Sequence, residues 1–151
     1  MSAAAQAPPA GVPAQLPAQV VLFDGVCVFC NAAARWIARR DPGGRFRFAA
    51  MQGATAAGLR ARHPEIPHAS ETLVLVEPGE GALRVALRSR AVLAVLSQLD
   101  TPWRHLGLLR LLPTPLTDLA YRIFASLRYR LFGRLDACPV PSALERERFL
   151  P

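Results

Sequence analysis

Asp24, Cys27 and Cys30 are the residues whose types and spacing could do chemistry, in the run Val20-Val21-Leu22-Phe23-Asp24-Gly25-Val26-Cys27-Val28-Phe29-Cys30-Asn31. Apolar β-formers run into Asp-Gly, and a C-x-x-C follows before an alanine-rich helical pattern. That order predicts a strand, a tight turn and then a helix carrying both thiols in its first turn. A helix start gathers unpaired backbone N–H groups and the positive end of the helix dipole. Thiols placed there tend to ionise near neutral pH, and the thiolate is the form that attacks disulfides. Residues three apart also share a helix face, so the pair can close a disulfide. The chemistry expected is dithiol–disulfide exchange.

Within that scheme Cys27, nearer the helix end, is expected to be the more exposed thiol and the nucleophile. Cys30 is expected to resolve the mixed disulfide by attacking Cys27. Asp24 has two readings from spacing alone: a carboxylate that relays the proton Cys30 must lose, or a residue that caps the Asp-Gly turn. Cys138 is either a third redox thiol or a buried small hydrophobe, and burial is the expectation. The rival to redox chemistry is a structural metal site. Zinc takes four ligands, and beyond the C-x-x-C only Cys138, His63, His68 and His105 are available, with no second ligand pair. Redox chemistry is the preferred reading and no metal is expected.

These residues need elements to hold them. The first 18 residues, rich in Ala and Pro, read as a flexible leader, and residues 19–151 as one folded unit. A buried central strand is predicted over 19–23 and the motif helix over about 27–40, stopped by Asp41-Pro42-Gly43-Gly44. Strict alternation in Arg45-Phe46-Arg47-Phe48-Ala49 marks a second strand, parallel to the first. A short helix over 52–62, a strand over 72–76, a hairpin partner over 82–87 and a helix from Ser89 to about Leu99 complete the pattern. The order β-α-β-α-β-β-α is that of an α/β, thioredoxin-like domain with a mixed four-stranded sheet and flanking helices. Residues 101–132 add a C-terminal helical segment. In it Leu116, Leu119, Ala120, Ile123, Phe124, Leu127 and Leu131 keep one stripe, with Arg122, Arg128 and Arg130 away from its centre. The stripe is expected to pack on the domain. The alternative is a basic amphipathic helix that docks on a membrane or a partner.

Composition narrows the classes. Hydrophobic residues make up 52% of the 151 and charged residues 19%, enough to bury a core. Three cysteines are too few for a secreted disulfide scaffold. The start has no positive charge before Arg35 and is broken by prolines, so no secretory signal is expected. No apolar run reaches the roughly 18 residues of a membrane span. The cytoplasm is therefore the expected location. All 18 basic residues are arginine and the net charge is +7. Because the arginines are scattered, no nucleic-acid partner is expected.

The motif run resembles the DCC family of thiol-disulfide oxidoreductases, named for the Asp, Cys and Cys carried here by Asp24, Cys27 and Cys30. Further similarity lies in Arg45-Phe46-Arg47-Phe48-Ala49, Thr72-Leu73-Val74-Leu75-Val76, Ser89-Arg90-Ala91-Val92-Leu93, and Tyr129-Arg130-Leu131-Phe132-Gly133-Arg134 with Cys138. The resemblance spans roughly residues 20–150. It implies a thioredoxin-like fold, a disulfide oxidoreductase activity and functional weight for Asp24 and Cys138. The chemistry needs no organic cofactor; it needs a thiol or disulfide substrate and a reductant that the sequence does not identify. The chain departs from better-known thioredoxins in holding Val28-Phe29 between the cysteines. It also has Ser70-Glu71 where those proteins place a cis-proline, so their peptide-docking surface is not implied.

Overall fold

The computed structural model describes residues 18–68 and 72–151, so the leader apart from Ala18, and Ser70-Glu71, lie outside the described residues. Five strands form one mixed sheet: β1 (Gln19–Phe23), β2 (Phe46–Ala50), β3 (Val74–Glu77), β4 (Arg84–Leu87) and β5 (Phe149–Leu150), in the order β4-β3-β1-β2-β5. β1 runs parallel to β2, with Val21 opposite Phe48, and antiparallel to β3, with Val21 opposite Leu75. The α/β class and thioredoxin-like arrangement expected from the sequence hold, with one strand more than expected. That strand, β5, pairs parallel with β2 at the sheet edge. Its two residues are too short to leave a periodic signal.

The central strand is apolar throughout because both of its faces are covered. Val20 and Leu22 point into one core with Met51, Leu59 and Ile66, under helix α2 (Ala54–Arg62). Val21 and Phe23 point into the other with Phe46, Phe48, Ala34 and Ile37, under helices α1 (Val28–Arg39) and α3 (Arg88–Leu96). Burying a Leu or Phe side chain this completely stabilises the fold by roughly 1.5–3 kcal/mol.

Two elements differ from expectation. β3 begins at Val74 because the backbone N–H of Leu73 donates to the Tyr121 hydroxyl (2.7 Å) and not to a neighbouring strand. Residues Trp103–Leu111 form a 3-10 helix, followed after Pro113 by α4 (Thr114–Phe132). α4 packs on α1 and α3, but not through the leucine stripe. Its inward face carries Tyr121, Arg128 and, of the expected stripe, Phe124 alone, while Leu116, Leu119, Ala120, Ile123, Leu127 and Leu131 are exposed. Ser89 and Thr117 share a hydrogen bond (3.0 Å) at the α3–α4 contact. No helix among the described residues is long and apolar enough to cross a membrane.

Candidate functional site

The site is built where β1 ends and α1 begins. Cys27 is the N-cap of α1, and its Sγ accepts a hydrogen bond from the backbone N–H of Cys30 at 3.2 Å. The turn before it is fastened from both sides. The Asn31 side chain donates to the carbonyls of Gly25 (2.7 Å) and Cys27 (2.9 Å). The Gln52 side chain accepts from the Gly25 N–H (3.0 Å) and donates to Asp24 Oδ1 (3.0 Å). Gly25 is required by close approach: a Cβ there would lie 2.7 Å from the Cys138 sulfur and 2.9 Å from the Ala50 Cβ.

The two thiols differ in access, in the opposite sense to that expected. Cys27 is completely buried, at 0% exposure, whereas Cys30 is half-buried. The chain folds back over Cys27 after α4. Leu135 N–H donates to the Val26 carbonyl (2.7 Å), and Cys27 and Arg134 form an isolated antiparallel bridge. Position on the helix alone favours Cys27 as the exposed thiol; the cover over it comes from a segment more than 100 residues away in the chain and leaves no local signal.

Cys30 instead faces a cavity of about 330 Å³ between α1, α3 and α4, lined chiefly by apolar side chains such as Phe29, Ala34 and Phe124, with Asp24 and Arg128 also at its wall. A second apolar cavity of about 420 Å³ shares Phe29, Ala33 and Val92 with it. Burial pushes the Cys30 thiol well above the ordinary thiol range, and its hydrogen bond and electrostatic coupling to Cys27 push it further. Arg128 works against this rise, and the Asp24 charge adds to it.

Asp24 is buried, and all its observed partners favour a negative charge. Oδ1 accepts from the Val26 N–H (3.1 Å) and from Gln52; Oδ2 accepts from Arg128 (3.0 Å) and from the Tyr129 hydroxyl. Burial alone would raise its pKa, but the hydrogen bonds from Tyr129, Gln52, the Val26 N–H and Arg128 together outweigh burial and hold the carboxyl below its usual range. Arg128 is itself 3% exposed.

Asp24, Cys27 and Cys30 thus come together at the start of α1. Cys138 does not join them on the cavity side: its sulfur sits behind Gly25, and it lines a separate cavity with Asn31, Gln52 and Pro139. The residue is exposed, against the expected burial, and partial desolvation raises its thiol pKa. Among the described residues no three His, Cys, Asp or Glu side chains gather as metal ligands.

Sequence reasoning missed Arg128, Tyr129, Gln52 and Asn31. A signal existed for Arg128: it follows Tyr121 and Phe124 at helical spacing, on a face that shares only Phe124 with the stripe. An arginine in such a line calls for a buried carboxylate, and Asp24 is that partner.

A family model described as DCC1-like thiol-disulfide oxidoreductase matches residues 21–134. An uncharacterized protein, YuxK, of Bacillus subtilis is 36% identical over 137 residues, covering 91% of this chain and 97% of its own length. The DCC family protein At1g52590, chloroplastic, of Arabidopsis thaliana is 33% identical over 120 residues, covering 79% of this chain and 67% of its own. No solved structure matches the chain.

Proposed function

We propose that this chain, which belongs to the DCC1-like thiol-disulfide oxidoreductase family, exchanges a Cys27–Cys30 disulfide with a thiol or disulfide substrate that meets Cys30 first. The observation that carries this reading is the inequality of the pair: Cys27 is sealed at the helix cap and Cys30 opens on an apolar cavity. A substrate thiolate attacks the Cys30 sulfur of the oxidised pair, the S–S bond breaks, and Cys27 leaves as thiolate. There the N–H of Cys30 is its hydrogen-bond donor. A second substrate thiolate then attacks the substrate sulfur of the mixed disulfide. Cys30 is released and takes up a proton, and so does Cys27. Two substrate thiols have become a disulfide, and two electrons have passed to the pair. The same steps in reverse reduce a disulfide, after which a cellular dithiol reductant resets the protein.

In this scheme Asp24 is a positioning residue. Its two oxygens are engaged by four donors, so accepting a proton from Cys30 would disrupt the ion pair with Arg128. Its turn-capping role is therefore the one we adopt over proton relay.

The test is trapping of the mixed disulfide. Cys27→Ser, treated with a small aromatic disulfide at alkaline pH, should retain the substrate half on Cys30, read by intact mass and peptide mapping. In folded Cys30→Ser protein Cys27 should stay unmodified. Trapping on Cys27 and not on Cys30 would overturn the assignment of the entry thiol.

A further inference from the structure

The outer face of α4 is apolar and has no partner among the described residues. Leu116, Leu119 and Ile123 are 55, 54 and 53% exposed, and Leu127 and Leu131 extend the same line. At 1.5 Å per residue the line from Leu116 to Leu131 runs about 22 Å. The preceding segment also exposes Leu108 and Leu111. A contiguous apolar surface on this scale marks an interaction site.

The charge around it restricts what can cover it. Between Trp103 and Arg134 the exposed charges are Arg104, Arg110, Arg122, Arg130 and Arg134. The one carboxylate in that span, Asp118, is half-buried and takes the Ser89 hydroxyl. Two copies meeting through this face would bring their arginines together against almost no negative charge, which disfavours a homodimer. The exposed side chains of the line are aliphatic, on the convex outer side of a helix, with arginines that can lay their stems along it and keep their heads in water. A helix of this kind lies in the plane of a bilayer surface with its apolar face among the acyl chains.

We propose that the outer face of α4, with residues 103–112 before it, docks the protein peripherally on an anionic lipid bilayer. The inward face of the same helix contributes Tyr121, Phe124 and Arg128 to the cavity at Cys30, so docking would set that cavity just above the lipid. The docking itself does not depend on the exchange chemistry.

The test is flotation of the full chain with phosphatidylcholine vesicles with and without phosphatidylglycerol, at low and high salt. The expected result is binding to the anionic vesicles that falls with salt, and little binding to the neutral ones. Each exposed arginine should contribute about fivefold, so Arg122→Gln and Arg130→Gln should weaken binding by that factor and lessen the salt effect. The double variant Ile123→Glu, Leu127→Glu should lose binding while keeping its helical circular dichroism and the reactivity of Cys30. No flotation with anionic vesicles, or unchanged flotation of the double variant, would overturn the proposal. A chain that is dimeric in solution and becomes monomeric on Ile123→Glu would assign the face to a second copy and overturn it equally.

Discussion

Burying the Asp24 carboxylate beside the Arg128 guanidinium makes each charge depend on the other. Removing one partner leaves an uncompensated charge in a site with little water, a change that typically costs about 3–5 kcal/mol. Arg128→Met should therefore destabilise the protein by about that amount in urea titration, and Asp24→Asn in the same chain should recover part of the loss. The sign of the acid response follows from the lowered Asp24 pKa. The folded state releases this proton more readily than the unfolded state. Its stabilising contribution is present above the usual carboxylate value of 3.8 and is lost as pH falls below it; Asp24→Asn should flatten that part of the profile. Cys30 has the opposite sign. Its raised pKa stabilises the folded state below the unfolded thiol value of about 8.5, and this contribution is lost as pH rises through the folded value. The reactivity of native Cys30 toward iodoacetamide should accordingly keep climbing beyond the range where an ordinary thiol levels off. Buried Cys27 should react only on unfolding, a pattern that peptide mass spectrometry resolves.

At the scale of elements, the motif turn is held as much by close packing as by hydrogen bonds. Gly25→Ala would press a methyl group against the Cys138 sulfur and the Ala50 side chain. It should cost about 1–3 kcal/mol, as overpacking does, and Cys138→Ala should relieve only part of it because Ala50 remains. β5 carries a comparable share at the sheet edge: the Phe149 ring stacks on Phe48 at 5.1 Å and meets Phe23 edge-on at 6.2 Å. Phe149→Ala should lower stability by roughly 2–4 kcal/mol, slightly less than a fully buried Phe, measurable as a drop in denaturation midpoint. These elements also differ in how legible they were. β1, α1 and β2 could be placed to within a residue or two because apolar runs and alternation follow directly from burial on two faces or one. α4 was legible as a helix, yet its orientation was not. The stripe and the line of Tyr121, Phe124 and Arg128 both satisfy helical periodicity and share Phe124, and the Asp24 charge selected the second as the buried face. β5 is held by tertiary pairing with β2 and has no local signature.

Across the whole molecule, a motif near the start of the chain is completed by its end. Arg128 and Tyr129 hold Asp24, and Arg134 and Leu135 cover Cys27. Glu145 pairs with Arg35 at 2.8 Å, and the Pro151 carbonyl accepts from the Thr55 N–H at the start of α2. The C-x-x-C at a helix start was legible from local spacing. Which of its thiols is accessible depends on contacts more than 100 residues apart, and so it was not. Exchange requires that the pair cycle in the folded protein. The most direct measurement is the Cys27–Cys30 thiol–disulfide equilibrium in glutathione buffers, read by alkylation and mass spectrometry with circular dichroism alongside. The expected result is a reversible two-electron couple in folded protein, with the same midpoint approached from either side and Cys138 outside the couple. A pair that never oxidises, or oxidises only once the chain unfolds, would contradict it.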